Sequence, residues 1–299
     1  MLAQRQPSLP QLRMKKTAVL ALDLTPAAEP LLECAAELRR WGVDRLLIVH
    51  VVRMGYGQEP GDRALQEITE WLEGRANRLR GADLRVEVKV RAAGSPADGI
   101  LAVGNECKAD LIVLGSRSHN LATQLFLGSV ASDMVRKTQV PLLLEWLEPT
   151  GHGAATGCAS VCVDTLRHVL LATDLSKHAS AAERVAIALA PDAQRVDCLA
   201  VLTADAIDAT PALPLMARAA LDALVARIDA VGGHGEALVL EGDPHEVIAR
   251  VAQERDCSLI VCGKHGQHWV QSMVIGSTAL RLCEMAGRPV LLVPLGQET

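Results

Sequence analysis

Residues 168–176 read His168-Val169-Leu170-Leu171-Ala172-Thr173-Asp174-Leu175-Ser176, an apolar run that ends on a short polar exit. The same pattern stands earlier as Ala18-Val19-Leu20-Ala21-Leu22-Asp23-Leu24-Thr25, with Asp23 and Asp174 offset by 151 residues. A second block also recurs. Asp110-Leu111-Ile112-Val113-Leu114-Gly115 matches Ser258-Leu259-Ile260-Val261-Cys262-Gly263, Gly128-Ser129 matches Gly276-Ser277, and Val140-Pro141-Leu142-Leu143-Leu144 matches Arg288-Pro289-Val290-Leu291-Leu292. The glycine pairs are offset by 148 residues. An offset that changes so little from one end of the repeat to the other means two complete copies with small loop differences.

Within each copy, short aliphatic runs alternate with helical patterns. In the first copy, strands are expected at 18–22, 45–52, 84–90, 111–114 and 140–144. Helices are expected at 30–41, 62–79, from Ser95-Pro96 onward, and from Gly128-Ser129. Gly42 suits the end of the first helix, and Ser95 followed by Pro96 suits the start of the third. The second copy repeats the order, with strands at 169–173, 196–202, 236–240, 259–262 and 290–293 and helices at 179–190, 215–231, 244–254 and 277–286. Alternation of this kind predicts an α/β fold, each copy a five-stranded parallel sheet with helices on both faces. Ligands of such sheets bind beyond the carboxyl ends of the strands, where strand order reverses. Asp23, Asp174, Gly115 and Gly263 all fall there. The boundaries implied are a flexible tail at 1–16, a first domain at 17–147, a linker rich in small residues at 148–166, and a second domain at 167–296.

Composition narrows the partners. The chain of 299 residues is 49% hydrophobic but only 2% aromatic, so its cores are expected to be aliphatic, and the composition argues against a ring platform for stacking bases. The net charge is -5, and no Lys/Arg block stands out, which argues against a nucleic-acid partner. No apolar run reaches the roughly 20 residues of a membrane span, and no secretory leader is evident. A cytoplasmic location is expected. Of the eight cysteines, Cys34, Cys198, Cys262 and Cys283 sit in apolar or helical contexts and read as small buried hydrophobes.

The chemistry concentrates at Gly263-Lys264-His265-Gly266, nine residues, then Gly276-Ser277-Thr278. Glycines just past a buried strand let backbone amides approach an anion with no Cβ in the way, and tolerate positive φ. Gly276-Ser277 opens the last helix, whose unpaired amides and positive dipole end favour phosphate. The Ser277 hydroxyl adds a donor. Lys264 and His265 either bring charge to the phosphate or face solvent.

On these residues the chain resembles the universal stress protein family in its tandem form, from about Thr17 to Pro294. The ATP-binding branch of that family carries G-x2-G-x9-G-[S/T], which residues 263–277 match in full. The resemblance implies ATP, with or without Mg²⁺, in the second domain. It further implies that Asp174 and the backbone near Ala172, Thr173 and Val201 hold the adenosine, and that Cys262, Gly263, Lys264, His265, Gly266, Gly276, Ser277 and Thr278 surround the phosphates. Glu241-Gly242-Asp243-Pro244 is similar to the family's turn before its third helix. Single-domain members pair through the last strand, so the two copies are expected to form a pseudo-dimer inside one chain, with further homodimerisation open. The function implied is that of a stress-response sensor or regulatory module acting on a protein partner that the sequence does not name. The alternatives are a nucleotide-independent scaffold with a vestigial motif, or a slow ATPase.

The first copy departs from the motif, reading Gly115-Ser116-Arg117-Ser118, nine residues, then Gly128-Ser129. Ser118 replaces the second glycine, so nucleotide is expected less in this copy. Arg117 either pairs with phosphate or fills the site, and Asp23 is expected to cap its own loop. His50, ending an aliphatic strand, is expected to be structural. His152, Cys158, Cys162 and His168 form a short Cys/His cluster, but His168 enters a strand that fixes its direction, so no metal is assigned. No nucleophile elbow, H-E-x-x-H or G-x4-G-K-[S/T] loop is present, and no catalytic residue is assigned.

Overall fold

The computed structural model describes residues 16–25, 27–55, 61–81, 83–116, 127–150, 157–160, 164–266 and 274–295, with the backbone alone at 149–150 and 157–160. The first copy runs β1 (Lys16–Ala21), α1 (Ala28–Ala35) passing into a 3-10 turn at Ala36–Trp41, β2 (Val43–Arg53), α2 (Asp62–Leu79), β3 (Arg85–Ala93), α3 (Pro96–Cys107), β4 (Leu111–Gly115), α4 (Ser129–Lys137) and β5 (Leu142–Glu145). The connecting segment contains an antiparallel pair, β6 (Leu147–Thr150) and β7 (Gly157–Ser160). The second copy runs β8 (Val169–Ala172), α5 (Ser180–Leu189), β9 (Val196–Leu202), α6 (Ala204–Ala209), α7 (Leu213–Ala230), β10 (Ala237–Glu241), α8 (Pro244–Glu254), β11 (Leu259–Gly263), α9 (Ser277–Met285) and β12 (Val290–Val293).

The helix signals act as expected. Gly42 takes a left-handed φ of 83° and ends the 3-10 turn, a conformation that glycine adopts without the strain a Cβ would bring. Ser95 accepts from the Asp98 amide, with Pro96 in the first turn. Asp243 accepts from the His245 amide at the start of α8, after Gly242 at φ 141°. Two elements lay outside the sequence reading. One is the β6–β7 pair, within a segment read as linker. The other is α6, a single short turn that Thr203 caps and that buries no residue, so it leaves no apolar periodicity to find.

Ten strands form one sheet in the order β10-β9-β8-β11-β12-β5-β4-β1-β2-β3. Pairing is parallel within each copy and antiparallel at the β12–β5 seam, where Val290, Leu291 and Leu292 face Leu144, Leu143 and Leu142. The expected pseudo-dimer pairing is therefore present as a continuous sheet. Because side chains alternate across a strand, Leu142 and Leu144 join one core while Leu143 joins the other. Each core is continuous across the seam. One holds residues of α1, α5 and α7, and the other holds residues of α3, α4, α8 and α9.

A second junction ties the copies at the opposite end of the strands from the loops that follow β8 and β11. The buried Trp41 indole donates to Thr165 Oγ1 at 3.3 Å, Glu37 accepts from the Thr165 amide at 3.0 Å, and Arg40 pairs with Asp164 at 2.5 Å.

Candidate functional site

Strand order reverses between β8 and β11, which lie side by side with Ala172 opposite Cys262. Thr173-Asp174 and Gly263-Lys264 therefore leave the sheet next to each other, at the edge where doubly wound sheets bind ligands.

The β8 exit is held tightly. Thr173, buried, donates from Oγ1 to Glu183 Oε1 at 2.8 Å and accepts from the Leu175 amide at 3.0 Å. Asp174 Oδ1 accepts from the Ser176 amide at 3.0 Å. Between them Leu175 takes φ 59°, a left-handed conformation that costs a branched residue of order 1–2 kcal/mol. The turn leaves the exposed Asp174 carboxylate beside the glycine loop. A Cβ on Gly266 would lie 2.7 Å from Asp174 Oδ2. Gly263 is nearly as confined, its Cβ position 3.1 Å from the His265 carbonyl.

The other half of the motif meets this loop directly. The Gly276 amide donates to the Lys264 carbonyl at 2.9 Å, and the Cβ position of Gly276 is 3.8 Å from the Gly266 nitrogen. Helix α9 starts at Ser277 with no side-chain cap, so its first-turn amides are available to an outside acceptor. Ser277 is exposed and Thr278 half-buried. Ala172 and Cys262 are buried beneath, and Val201 is half-buried on neighbouring β9. Burial pushes the Cys262 thiol up to about 12, which keeps it a neutral packing group.

The glycines and Lys264 differ from expectation in their physical role. Neither Gly263, Gly266 nor Gly276 adopts positive φ. A Cβ would press on the Asp174 carboxylate at Gly266 and on the loop's own backbone at Gly263, whereas at Gly276 it would meet only ordinary contacts. Lys264 does not turn its charge to the glycine loop and does not face solvent. Its side chain is 1% exposed and donates from Nζ to the carbonyls of Arg136 at 2.7 Å and Thr138 at 2.8 Å, at the end of α4 in the first copy. Burial pulls its ammonium down to about 8. His265 is half-buried and bonds through Nε2 to the Val274 carbonyl at 3.2 Å, joining the two sides of the intervening segment 267–273.

In the first copy, the Gly128 amide donates to the Ser116 carbonyl at 2.9 Å, as Gly276 does to Lys264. Asp23 Oδ1 accepts from the Thr25 amide and hydroxyl, so it caps its own loop. Arg117 and Ser118 lie outside the described residues.

His50 and His168 are committed elsewhere. His50 Nδ1 meets the Leu22 carbonyl at 2.8 Å. His168 uses Nδ1 on the Arg255 carbonyl and Nε2 on Asp197 at 2.9 Å. Its cluster partners His152 and Cys162 lie outside the described residues, as does the Cys158 side chain. Among the described residues, no group of three or more His, Cys, Asp or Glu could hold a metal. No helix among them is long and apolar enough to cross a membrane.

A cluster that sequence reasoning missed surrounds Asp197, which is fully buried near the start of β9. Arg195 at 2.8 Å, Arg255 at 2.9 Å and His168 converge on its carboxylate, and the Glu236 amide donates to it at 3.0 Å. Burial pushes this carboxyl up, and the bonds from His168 and Arg195 more than offset that, holding it at about 2. The signal was present as a carboxylate inside the apolar run Val196–Leu202, since a buried charge implies partners. Lying at the amino end of β9, the cluster braces the sheet at the end away from the glycine loop.

Comparison with known proteins agrees with this architecture. The chain is 33% identical over 140 residues to the "universal stress protein in QAH/OAS sulfhydrylase 3′region" of Thermus aquaticus, a match spanning 44% of this chain and 98% of that protein. Its fold matches the crystal structure of a universal stress protein from Archaeoglobus fulgidus with TM-score 0.70 and 22% identity, covering 95% of this chain and 100% of the other. A functionally unknown protein of Pseudomonas aeruginosa PAO1 matches with TM-score 0.64 and 15% identity, over 95% and 94% of the two chains. The universal stress protein family model matches residues 14–144 and again 165–294, once for each half of the ten-stranded sheet. The chain therefore belongs to the universal stress protein family, as two family domains joined in tandem.

Proposed function

We propose that the second copy binds ATP at the β8–β11 edge, and that occupancy regulates contacts with a protein partner in a stress response. The observation that carries this is the convergence of three backbone segments. The Asp174 turn, the Gly263–Gly266 loop and the Gly276–Ser277 helix start meet where a Cβ at Gly266 would collide with a carboxylate. Such spacing serves a backbone that must approach a ligand closely. The uncapped first turn of α9 supplies amides and a positive dipole end for phosphate.

In this assignment Asp174, with the backbone of Ala172, Thr173 and Val201, holds the adenosine. The amides of Gly263, Gly266, Gly276, Ser277 and Thr278, with the Ser277 hydroxyl, hold the phosphates. Cys262 and His265 shape the loop, the one as packing beneath it and the other by closing its ends. Mg²⁺, when bound, would neutralise phosphate charge. No acidic pair in the chain is assigned to it, and no residue is assigned to activate water, so binding rather than turnover is the proposed activity. Regulation requires that a partner distinguish the loaded and empty forms.

The test is equilibrium dialysis of nucleotide-stripped protein against ATP, ADP and AMP, run beside a phosphate-release assay. Retention of ATP by wild type, with loss in Asp174→Ala and no appreciable phosphate release, supports the proposal. Equal retention by Asp174→Ala removes that residue from the site. Rapid phosphate release would make the protein an ATPase. Absence of retention with all three nucleotides would leave a nucleotide-independent scaffold.

A further inference from the structure

We propose that Lys264 is a positioning residue through which the first copy sets the shape of the second copy's glycine loop, so that the candidate nucleotide site is completed by both copies. Burying an ammonium is costly unless its protons are satisfied, and Lys264 is among the largest fully buried side chains of the protein. The fold itself does not demand a lysine there, because the first copy has Ser116 at the matching position, equally buried.

What Lys264 does instead is join four elements. Its amide donates to the Val293 carbonyl at 2.7 Å, at the end of β12, and its carbonyl accepts from the Gly276 amide at the start of α9. It follows Gly263 in the glycine loop. Its Nζ crosses to the Arg136 and Thr138 carbonyls at the end of α4. Carbonyls in the last turn of a helix lack intrahelical donors and carry the negative end of the dipole, so they receive an ammonium well. The anchor is itself stiff. Thr138 is fully buried, and its hydroxyl donates to the Val140 carbonyl at 2.6 Å and accepts from the Val140 amide at 3.1 Å. The loop is thus tied on one side to its own helix α9 and on the other to α4 of its neighbour.

The importance of this tie for ligand affinity rests on the nucleotide reading, whereas its effect on loop geometry does not. Two variants separate them: Lys264→Met, which keeps the volume and removes the donors, and Lys264→Ser, which restores the residue the first copy already accommodates. Hydrogen–deuterium exchange is followed in peptides covering Gly263–Gly266 and Gly276–Ala279 of the nucleotide-free full chain, and ATP affinity is measured in parallel. Both variants are expected to exchange at least several-fold faster in those peptides and to bind ATP about tenfold more weakly, at temperatures where each remains folded. A role limited to packing would lower the melting temperature and leave both readouts unchanged, and that result would overturn the proposal. If wild type binds no ATP, the nucleotide reading fails alone, and the exchange comparison still decides the role of Lys264. If neither variant folds, wild type decides it: ATP is expected to slow exchange across 136–140, and no change there would overturn the proposal.

Discussion

Gly266 approaches Asp174 so closely that a methyl group on its α-carbon would stand 2.7 Å from Oδ2. That separation is below any ordinary carbon–oxygen contact, so Gly266→Ala must displace either the carboxylate or the loop. Because Asp174 is exposed and Gly266 lies near the surface, the shift falls on the site rather than on the core. The expected outcome is a Kd for ATP raised tenfold or more, with a melting temperature within a few degrees of wild type, measured by fluorescent-nucleotide competition and thermal denaturation. Unchanged affinity would mean that the contact does not define the binding geometry.

Lys264 predicts a pH dependence at the alkaline side. Its ammonium titrates at about 8 in the folded chain against 10.5 for the ordinary side chain. The unfolded state therefore binds more protons between those values, and stability rises with pH across that window. The gain of wild type over Lys264→Met between pH 8 and pH 10.5 should be on the order of 3 kcal/mol, since one pKa unit corresponds to about 1.4 kcal/mol. Urea denaturation of both proteins at several pH values measures it, and the buried thiols, common to both, cancel in the difference. Parallel pH curves would mean that the Arg136 and Thr138 carbonyls hold the ammonium charged in spite of its burial.

Asp197 acts at the other end of the scale. Its carboxyl titrates at about 2 in the folded chain against 3.8 ordinarily. Its contribution is present above 3.8 and disappears as pH falls through about 2, and amounts to on the order of 2 kcal/mol. Asp197→Ala removes the buried acceptor that His168, Arg195 and Arg255 share, while Glu236 still pairs with both arginines, and should cost about 2–3 kcal/mol at neutral pH. Since the cluster sits at the amino end of β9, ATP affinity of the folded variant should match wild type. A large loss of affinity without loss of stability would contradict this division between bracing and binding.

The tandem architecture was legible because its signals are local and occur twice. Aliphatic runs ending on Asp23 and Asp174, Gly42 after the first helix, and Ser95-Pro96 before the third each carry their reason in their own residue types. The candidate site was legible as a set of positions, since the strand reversal brings Asp174, Gly266 and Gly276 together. Positive φ plays no part at these glycines, and the crowding of Gly266 by Asp174 and of Gly263 by the loop is a tertiary fact that no local pattern shows. The direction of Lys264 was equally hidden. It depends on the antiparallel β5–β12 seam, which brings the end of α4 to a loop whose sequence lies 126 residues beyond Thr138. Asp197 could have been flagged as a charge within an apolar strand with Arg195 two residues before it, but His168, Glu236 and Arg255 come from three other stretches of chain that only the fold assembles.

The most direct measurement is calorimetric titration of nucleotide-stripped protein with ATP and Mg²⁺, beside a Gly276→Asp variant. An alanine Cβ at Gly276 would find ordinary contacts, the nearest at 3.5 Å, so the variant should fold while placing negative charge at the start of α9. Binding of about one equivalent by wild type and none by a folded Gly276→Asp is the predicted result. The absence of heat and of any thermal shift in wild type with excess ATP would contradict it, and would leave the second copy's motif as a structural relic.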